Sequence, residues 1–164
     1  MKLKLIFYKI TKIFITISIF TYTNIINANI NKLNINSSNG INVTNAWARA
    51  TVAKQTASGV FLSIKANKNL TLFKVSSILA NKTEIHTMIM QNNTMYMQPI
   101  DKLNIPKDQT IALNGEYHLM LFGLKQKLQV GSEVPVKLYF KDDTQNIIEH
   151  NINAIVKPIY YSEK

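Results

Sequence analysis

Cysteine is missing from all 164 residues of the chain. Without a thiolate, the chain cannot form disulfides, a structural zinc site of the cysteine type, or a blue-copper electron-transfer centre. A chain of this length nevertheless buries enough apolar surface to fold without disulfides. The absence of cysteine therefore narrows the choice of function without arguing against a stable fold.

Acidic residues are scarce, because nine Asp and Glu stand against nineteen Lys and Arg, which gives a formal net charge of +10. The lysines are scattered, and no basic run alternates with aromatic residues. Nucleic-acid sites typically cluster basic residues on one surface and add aromatic side chains for stacking. We therefore expect no nucleic-acid partner and interpret the charge as a solvated basic surface, with mild attraction to anionic membranes or acidic partners left open.

A long apolar run is missing as well. Four lysines within residues 2–12 precede the short apolar segment 13–20, and Ala28 offers a small residue for signal peptidase. This layout is typical of a secretory signal peptide over 1–28, whereas a spanning helix needs about 20 apolar residues. The alternative is an uncleaved membrane anchor. Cleavage after Ala28 would remove the four lysines, lower the net charge from +10 to +6, and leave a periplasmic domain without a membrane span.

No long helical pattern follows the Asn- and Ser-rich lead-in at 29–40. Short alternating or apolar runs are instead separated by turn-forming residues. They predict an all-β sandwich or barrel over 41–157, a single domain, with a C-terminal tail at 158–164. The predicted strands are Ile41–Ala50, Gly59–Lys65, Leu70–Leu79, Thr83–Met90, Met95–Pro99, Thr110–Leu113, Tyr117–Leu124, Val134–Phe140 and Ile147–Ile155.

The residues with metal-binding side chains are concentrated between His86 and Met120, where two of the three histidines and five of the six methionines occur. Most are separated by one residue, which places their side chains on one face of a strand. Imidazole and thioether without thiolate are ligands suited to monovalent copper. The pattern predicts a metal site drawn from His86, Met88, Met90, Met95, Met97, His118 and Met120.

Two of the predicted strands form a hairpin in this region, because only four polar residues separate Thr83–Met90 from Met95–Pro99. A Greek-key connection could bring the strand Tyr117–Leu124 beside this hairpin. Four side chains would then surround one point: His86, Met97, His118 and Met120.

Other interpretations of the cluster belong to different classes of protein. Methionine on a strand often fills a core, so one alternative is a secreted β-sandwich interaction or assembly module with incidental Met and His clustering. A copper oxidase or monooxygenase is disfavoured, because the sequence offers no second metal cluster and no nucleophile–base pair. We therefore expect no enzyme. His150 has no methionine partner and is interpreted as an ordinary surface residue.

These residues resemble the periplasmic copper chaperone family called PCuAC. Its signature is a histidine, ten residues, a methionine, about twenty-one residues, and then His-x-Met. Here His86 and Met97 enclose ten residues, while Met97 and His118 enclose twenty. The resemblance covers about residues 43–155. The matching segments around the signature are Trp47–Thr51, Glu84–His86 and Tyr117–Lys125.

The resemblance implies a cupredoxin-like Greek-key β-sandwich that binds one copper(I) ion near its surface; we expect a monomer. It implies delivery of copper to the dinuclear site of cytochrome c oxidase subunit II, alongside Sco-type thiol proteins. The implied ligands are His86, Met97, His118 and Met120. Met88, Met90 and Met95 match no essential position of the family, and they either assist capture or only pack nearby; we take Met88 and Met95 as the accessory metal-binding candidates.

Three further expectations follow from the resemblance. Trp47 would pack in the sandwich, and Arg49 would pair at the surface. The tail at 158–164 contains no His or Met, so we expect no second site for copper(II).

Overall fold

The computed structural model of the chain describes residues 40–162. The predicted signal peptide and all of the lead-in except Gly40 lie outside the described residues. Among the residues that are described, no helix is long and apolar enough to cross a membrane.

The described part of the chain is built from strands, which confirms the predicted all-β class. Nine strands correspond to the nine predicted runs, with ends shifted by a few residues. The sequence interpretation missed the short β6. The ten strands are β1 (Ile41–Arg49), β2 (Ala57–Ala66), β3 (Leu70–Ser76), β4 (Ala80–Gln91), β5 (Thr94–Ile100), β6 (Leu103–Ile105), β7 (Thr110–Leu113), β8 (Tyr117–Leu124), β9 (Glu133–Asp142) and β10 (Ile147–Lys157).

The strands pair in the order β5-β4-β8-β2-β1-β10-β9-β3-β6, and β7 pairs with β2. β1 and β10 run parallel, and the other pairs are antiparallel. Strands far apart in this order contribute to one core, in which Leu72 of β3 and Leu121 of β8 are both fully buried. The hydrogen-bonded sheet therefore closes over its own apolar face, as in a β-sandwich.

Alternation along β8 separates a core face from a second face. Leu119 and Leu121 point into the core and are 0% exposed. His118 and Met120 alternate with them and therefore lie on the other face. Burying the two leucines fixes the register of β8, because a slip of one residue would place them on the wrong face.

β4 lies between β8 and the edge strand β5, and the hairpin of β4 and β5 has a two-residue turn. The turn residues Asn92 and Asn93 have φ values of 49° and 61°, which the tight I′ type of hairpin turn requires. Asparagine tolerates this left-handed backbone better than most residues. The predicted four-residue connection is therefore shorter in the structure, because Gln91 and Thr94 belong to the strands.

Pro99 on β5 is compatible with this pairing. Met88 donates its backbone N–H to the carbonyl of Glu116, in the turn just before β8, at 2.7 Å, so its backbone groups point away from β5. The backbone N–H and carbonyl of His86, which faces Pro99 and lies two residues earlier, also point away from β5. The missing N–H of Pro99 therefore removes no hydrogen bond from the ladder.

Candidate metal centre

His86 and His118 lie directly opposite each other on β4 and β8. Directly opposite residues share a face of the sheet, and their ring centroids are 5.9 Å apart. The two residues are only 7% and 5% exposed. The fold therefore brings two imidazoles, 32 positions apart in the sequence, into one small region of the surface.

Glu84 holds the ring of His86. Its carboxylate Oε2 lies 3.0 Å from Nε2 of His86, while Lys82 approaches Oε1 at 2.6 Å. The hydrogen bond from His86, followed by that from Lys82, holds the pKa of the Glu84 carboxyl below its usual range. An ionised carboxylate accepts a hydrogen bond from an N–H at Nε2, and in the tautomer that donates this bond Nδ1 carries the lone pair.

Nδ1 of His86 is buried and has no hydrogen-bond partner among residues 40–162. A buried polar atom without a partner costs free energy and calls for an explanation. A carboxylate that binds one imidazole nitrogen while the other nitrogen binds a metal is a common arrangement at metal sites. The arrangement of Glu84 and His86 therefore fits a metal ligand.

His118 is suited to the same role. Burial, followed by the nearby charge of His86, lowers the pKa of His118 below the usual value for imidazole. Its ring is therefore neutral near pH 7, which is the form that binds a metal.

The two predicted thioether ligands flank the histidine pair from opposite sides. Met120 is opposite Glu84 on the same face and is partly buried. Met97 is opposite Met88, which places it diagonally from His86, and it is 56% exposed. The structure thus pairs the histidines directly, whereas each methionine lies one step away along the strands.

The accessory candidates lie on the hairpin. Met88 shares a face with His86 and is partly buried. Met95 faces Met90 near the turn, and both are exposed, at 51% and 69%.

Aromatic rings border the histidine pair. Phe122 lies 5.8 Å from the His86 ring, and Phe61 lies 6.2 Å from the His118 ring, measured between centroids. Sequence reasoning missed Phe61. Phe61 lies two residues from Gly59 on the same face of β2, and Gly59 is opposite Met120 on β8. An added Cβ at Gly59 would come within 2.9 Å of the Phe61 ring, so this glycine makes room for the ring beside the site.

Trp47 continues this row of rings by stacking on Phe61 at 4.2 Å, and it is 4% exposed. The guanidinium of Arg49 lies 5.5 Å from both ring centroids and donates to the carbonyl of Ile159. Trp47 therefore packs as predicted, whereas Arg49 pairs with rings and a carbonyl.

The prediction of a surface position for His150 was wrong. It is 8% exposed, lies opposite Leu138, and shares the inner face of β10 with the buried Ile148, two residues earlier. The charged neighbour Glu149 points to the other face and does not bring His150 to the surface.

Comparisons with known proteins agree with this fold. The copper-bound PCuAC domain from PmoF2 superposes with a TM-score of 0.59 and 18% identity, over 74% of this chain and 96% of that domain. The apo PCuAC domain from PmoF1 gives 0.59 and 19% identity, over the same shares. At these identities the likeness establishes the β-sandwich fold alone.

The comparisons of sequence match proteins that carry a different family name. A relative, "Putative lipoprotein Lxx21020" of Leifsonia xyli subsp. xyli (strain CTCB07), is 32% identical over 107 residues. The match covers 63% of this chain and 63% of that protein. The family model "Putative lipoprotein LpqE-like" matches residues 41–151, from the start of β1 into β10. The chain therefore belongs to the LpqE-like family.

Proposed function

We propose that the chain binds one copper(I) ion through His86, Met97, His118 and Met120 and carries it as a copper chaperone outside the cytoplasm. The observation that supports this most is the paired histidines, of which His86 is held by Glu84 with its Nδ1 free of any hydrogen bond. The likeness in fold to a copper-bound PCuAC domain supports the same choice of metal.

The donor set favours the reduced ion. Thioethers are soft and neutral, and imidazole binds in its neutral form, so the soft copper(I) ion keeps its positive charge in the complex. Two thioethers and no charged ligand give copper(II) little stabilisation. The site is therefore suited to holding copper without redox turnover, which is what a carrier requires and a redox enzyme does not.

The difference in exposure between the ligands suggests how copper could leave. The histidines are nearly buried, whereas Met97 on the edge strand is 56% exposed. A partner that approaches β5 would meet the thioether first and could replace it while the imidazoles still hold the ion. Transfer would then proceed by exchange of ligands, without free copper.

The proposed recipient is the dinuclear copper site of cytochrome c oxidase subunit II, with Sco-type thiol proteins as further partners. This rests on the PCuAC signature. The test mixes the copper(I)-loaded full chain with the soluble domain of subunit II and measures copper in each protein after separation. We expect copper on subunit II. Copper that stays on this chain would contradict the proposed recipient, while the copper-binding proposal would stand.

The proposed location is extracytoplasmic, most specifically the periplasm. The signal-peptide pattern at 1–28 and the lipoprotein naming of the family both support export.

Replacing Glu84 by alanine should weaken copper(I) binding although Glu84 is not a proposed ligand. The variant loses the group that orients the His86 ring, and such losses typically lower metal affinity by about tenfold to a hundredfold. Competition with a chromogenic copper(I) chelator measures the effect. The matched control is Lys82→Ala. It removes a neighbouring charge but keeps the hydrogen bond that the Glu84 carboxylate accepts from His86. Equal affinities in the two variants would contradict the orienting role.

A further inference from the structure

The exposed methionines on the β4–β5 hairpin are not explained by packing. Met90, Met95 and Met97 are 69%, 51% and 56% exposed. β5 is exposed on both faces from Thr94 to Pro99. Within the part of the chain that the structure describes, no core therefore lies at this end of the hairpin for thioether side chains to fill.

The register arranges these three side chains and the partly buried Met88 as a ladder of two rungs. Met88 faces Met97, and Met90 faces Met95, all on the face that carries His86. The tight turn at Asn92 and Asn93 fixes this pairing. We call Met88, Met90, Met95 and Met97 the methionine ladder.

Both rungs are of the close kind. Because Met88 donates its N–H to the carbonyl of Glu116, just before β8 and away from β5, its pair with Met97 is not hydrogen-bonded, and the Met90–Met95 pair has the same phase. The Cα atoms of such pairs are about 4.5 Å apart, and successive rungs are about 7 Å apart along the strand. Methionine has three rotatable bonds, so four sulfur atoms can converge over an area of this size.

The electrostatic surroundings restrict the ligand. Between Glu84 and Asp101 the chain contains no Asp, Glu, Lys or Arg. A site of neutral thioethers without a carboxylate does not suit a hard divalent cation, and it does suit a soft monovalent one.

We propose that the methionine ladder is a second, thioether-only site for a soft monovalent metal ion such as copper(I) or silver(I). Met97 belongs both to the ladder and to the proposed histidine site. The two positions are therefore filled in turn, and the ladder passes its ion to the histidines. Binding at the ladder stands without the proposed function, whereas its use as a loading step rests on it.

The first measurement is a titration of the full chain with silver(I), followed by NMR of ¹³C-labelled methionine methyl groups and of the histidine rings. We expect the methyl signals of Met90 and Met95 to shift during the titration. Unmoved Met90 and Met95 signals overturn the ladder, whatever the histidines do. Shifted Met90 and Met95 signals with unmoved histidines support the ladder and count against the proposed function, so the two failures are distinguishable.

The second measurement is the rate of copper(I) uptake from a chelator complex by the double variant Met90→Leu, Met95→Leu. Both positions are exposed, so leucine is tolerated. Loss of a neighbouring capture site should slow uptake by about tenfold or more, because transfer within one molecule benefits from a high local concentration. Affinity at equilibrium should change by less than about threefold, since the histidine ligands remain.

The matched control for this variant is Tyr96→Leu, on the opposite face of β5 and 50% exposed. It should load at the wild-type rate. Equal rates in the double variant and the wild type would overturn the loading role. A double variant that loads normally but no longer transfers copper to its recipient would identify the face as a protein-binding surface, which also overturns it.

Discussion

Replacing His118 by alanine should lower the affinity for copper(I) by at least about tenfold. The variant loses one of two imidazoles that the fold places directly opposite each other, with ring centroids 5.9 Å apart. Only one imidazole and two thioethers then remain to hold the ion. Competition with a chromogenic copper(I) chelator gives the two affinities.

The control for this prediction is His150→Gln. His150 is about as buried as the two proposed histidine ligands, at 8% exposed, but it lies on β10 with no methionine beside it in the sequence. It therefore separates the loss of a ligand from the loss of a buried imidazole in general. We expect wild-type affinity in this variant. Equal affinities in His118→Ala and His150→Gln would contradict the assignment of the site.

Substitution of the adjacent residues Leu119 and Met120 of β8 should have opposite effects: the first should lower stability, and the second should weaken copper binding. Leu119 is 0% exposed in the core, and truncating a buried leucine to alanine costs about 2–5 kcal/mol of the free energy of unfolding. Met120 lies on the other face and is only partly buried. Met120→Leu keeps the volume and should change stability by less than about 1.5 kcal/mol.

Copper binding should show the reverse order. Met120→Leu removes a proposed thioether ligand and should weaken copper(I) binding, whereas folded Leu119→Ala keeps all four proposed ligands. Denaturant unfolding without metal and chelator competition measure the two quantities. A Met120→Leu variant that binds copper like the wild type would remove Met120 from the ligand set. A Leu119→Ala variant of wild-type stability would contradict the division of β8 into a core face and a metal face.

The strands of this fold were predictable because alternation is a local signal. The runs around His118 and Met120 carry a strict alternation of apolar core residues, and the structure keeps it. β6 was missed because Leu103–Ile105 contains only three residues, too few to display a period of two. It is a strand because it pairs with β3, and that partner is distant in the sequence.

The errors at single residues have the same origin. His150 was assigned to the surface from its charged neighbours, although it lies two residues from the buried Ile148 and therefore on the same face of β10. Sequence order alone could not reveal that Glu84 binds Nε2 of His86, because that contact depends on side-chain conformation. The contribution of Phe61 depends on β2 pairing with β8, which is a property of the whole sheet.

The arrangement of the methionines could be predicted from the sequence only in part. Spacing predicted that Met88 and Met90 share the face of His86, and the strand confirms it. The rungs with Met97 and Met95 depend on a two-residue turn. A turn with one residue more or fewer would have shifted the pairing and separated the thioethers.

The most direct test of the central claim is NMR of the histidine ring nitrogens of the full chain during titration with copper(I). The arrangement of Glu84 and His86 predicts that Nδ1 of His86 and one ring nitrogen of His118 shift together. Both shifts should be complete at one equivalent of copper, while the signals of His150 stay in place. Ring nitrogens of His86 and His118 that do not move at one equivalent would contradict a copper site at this pair.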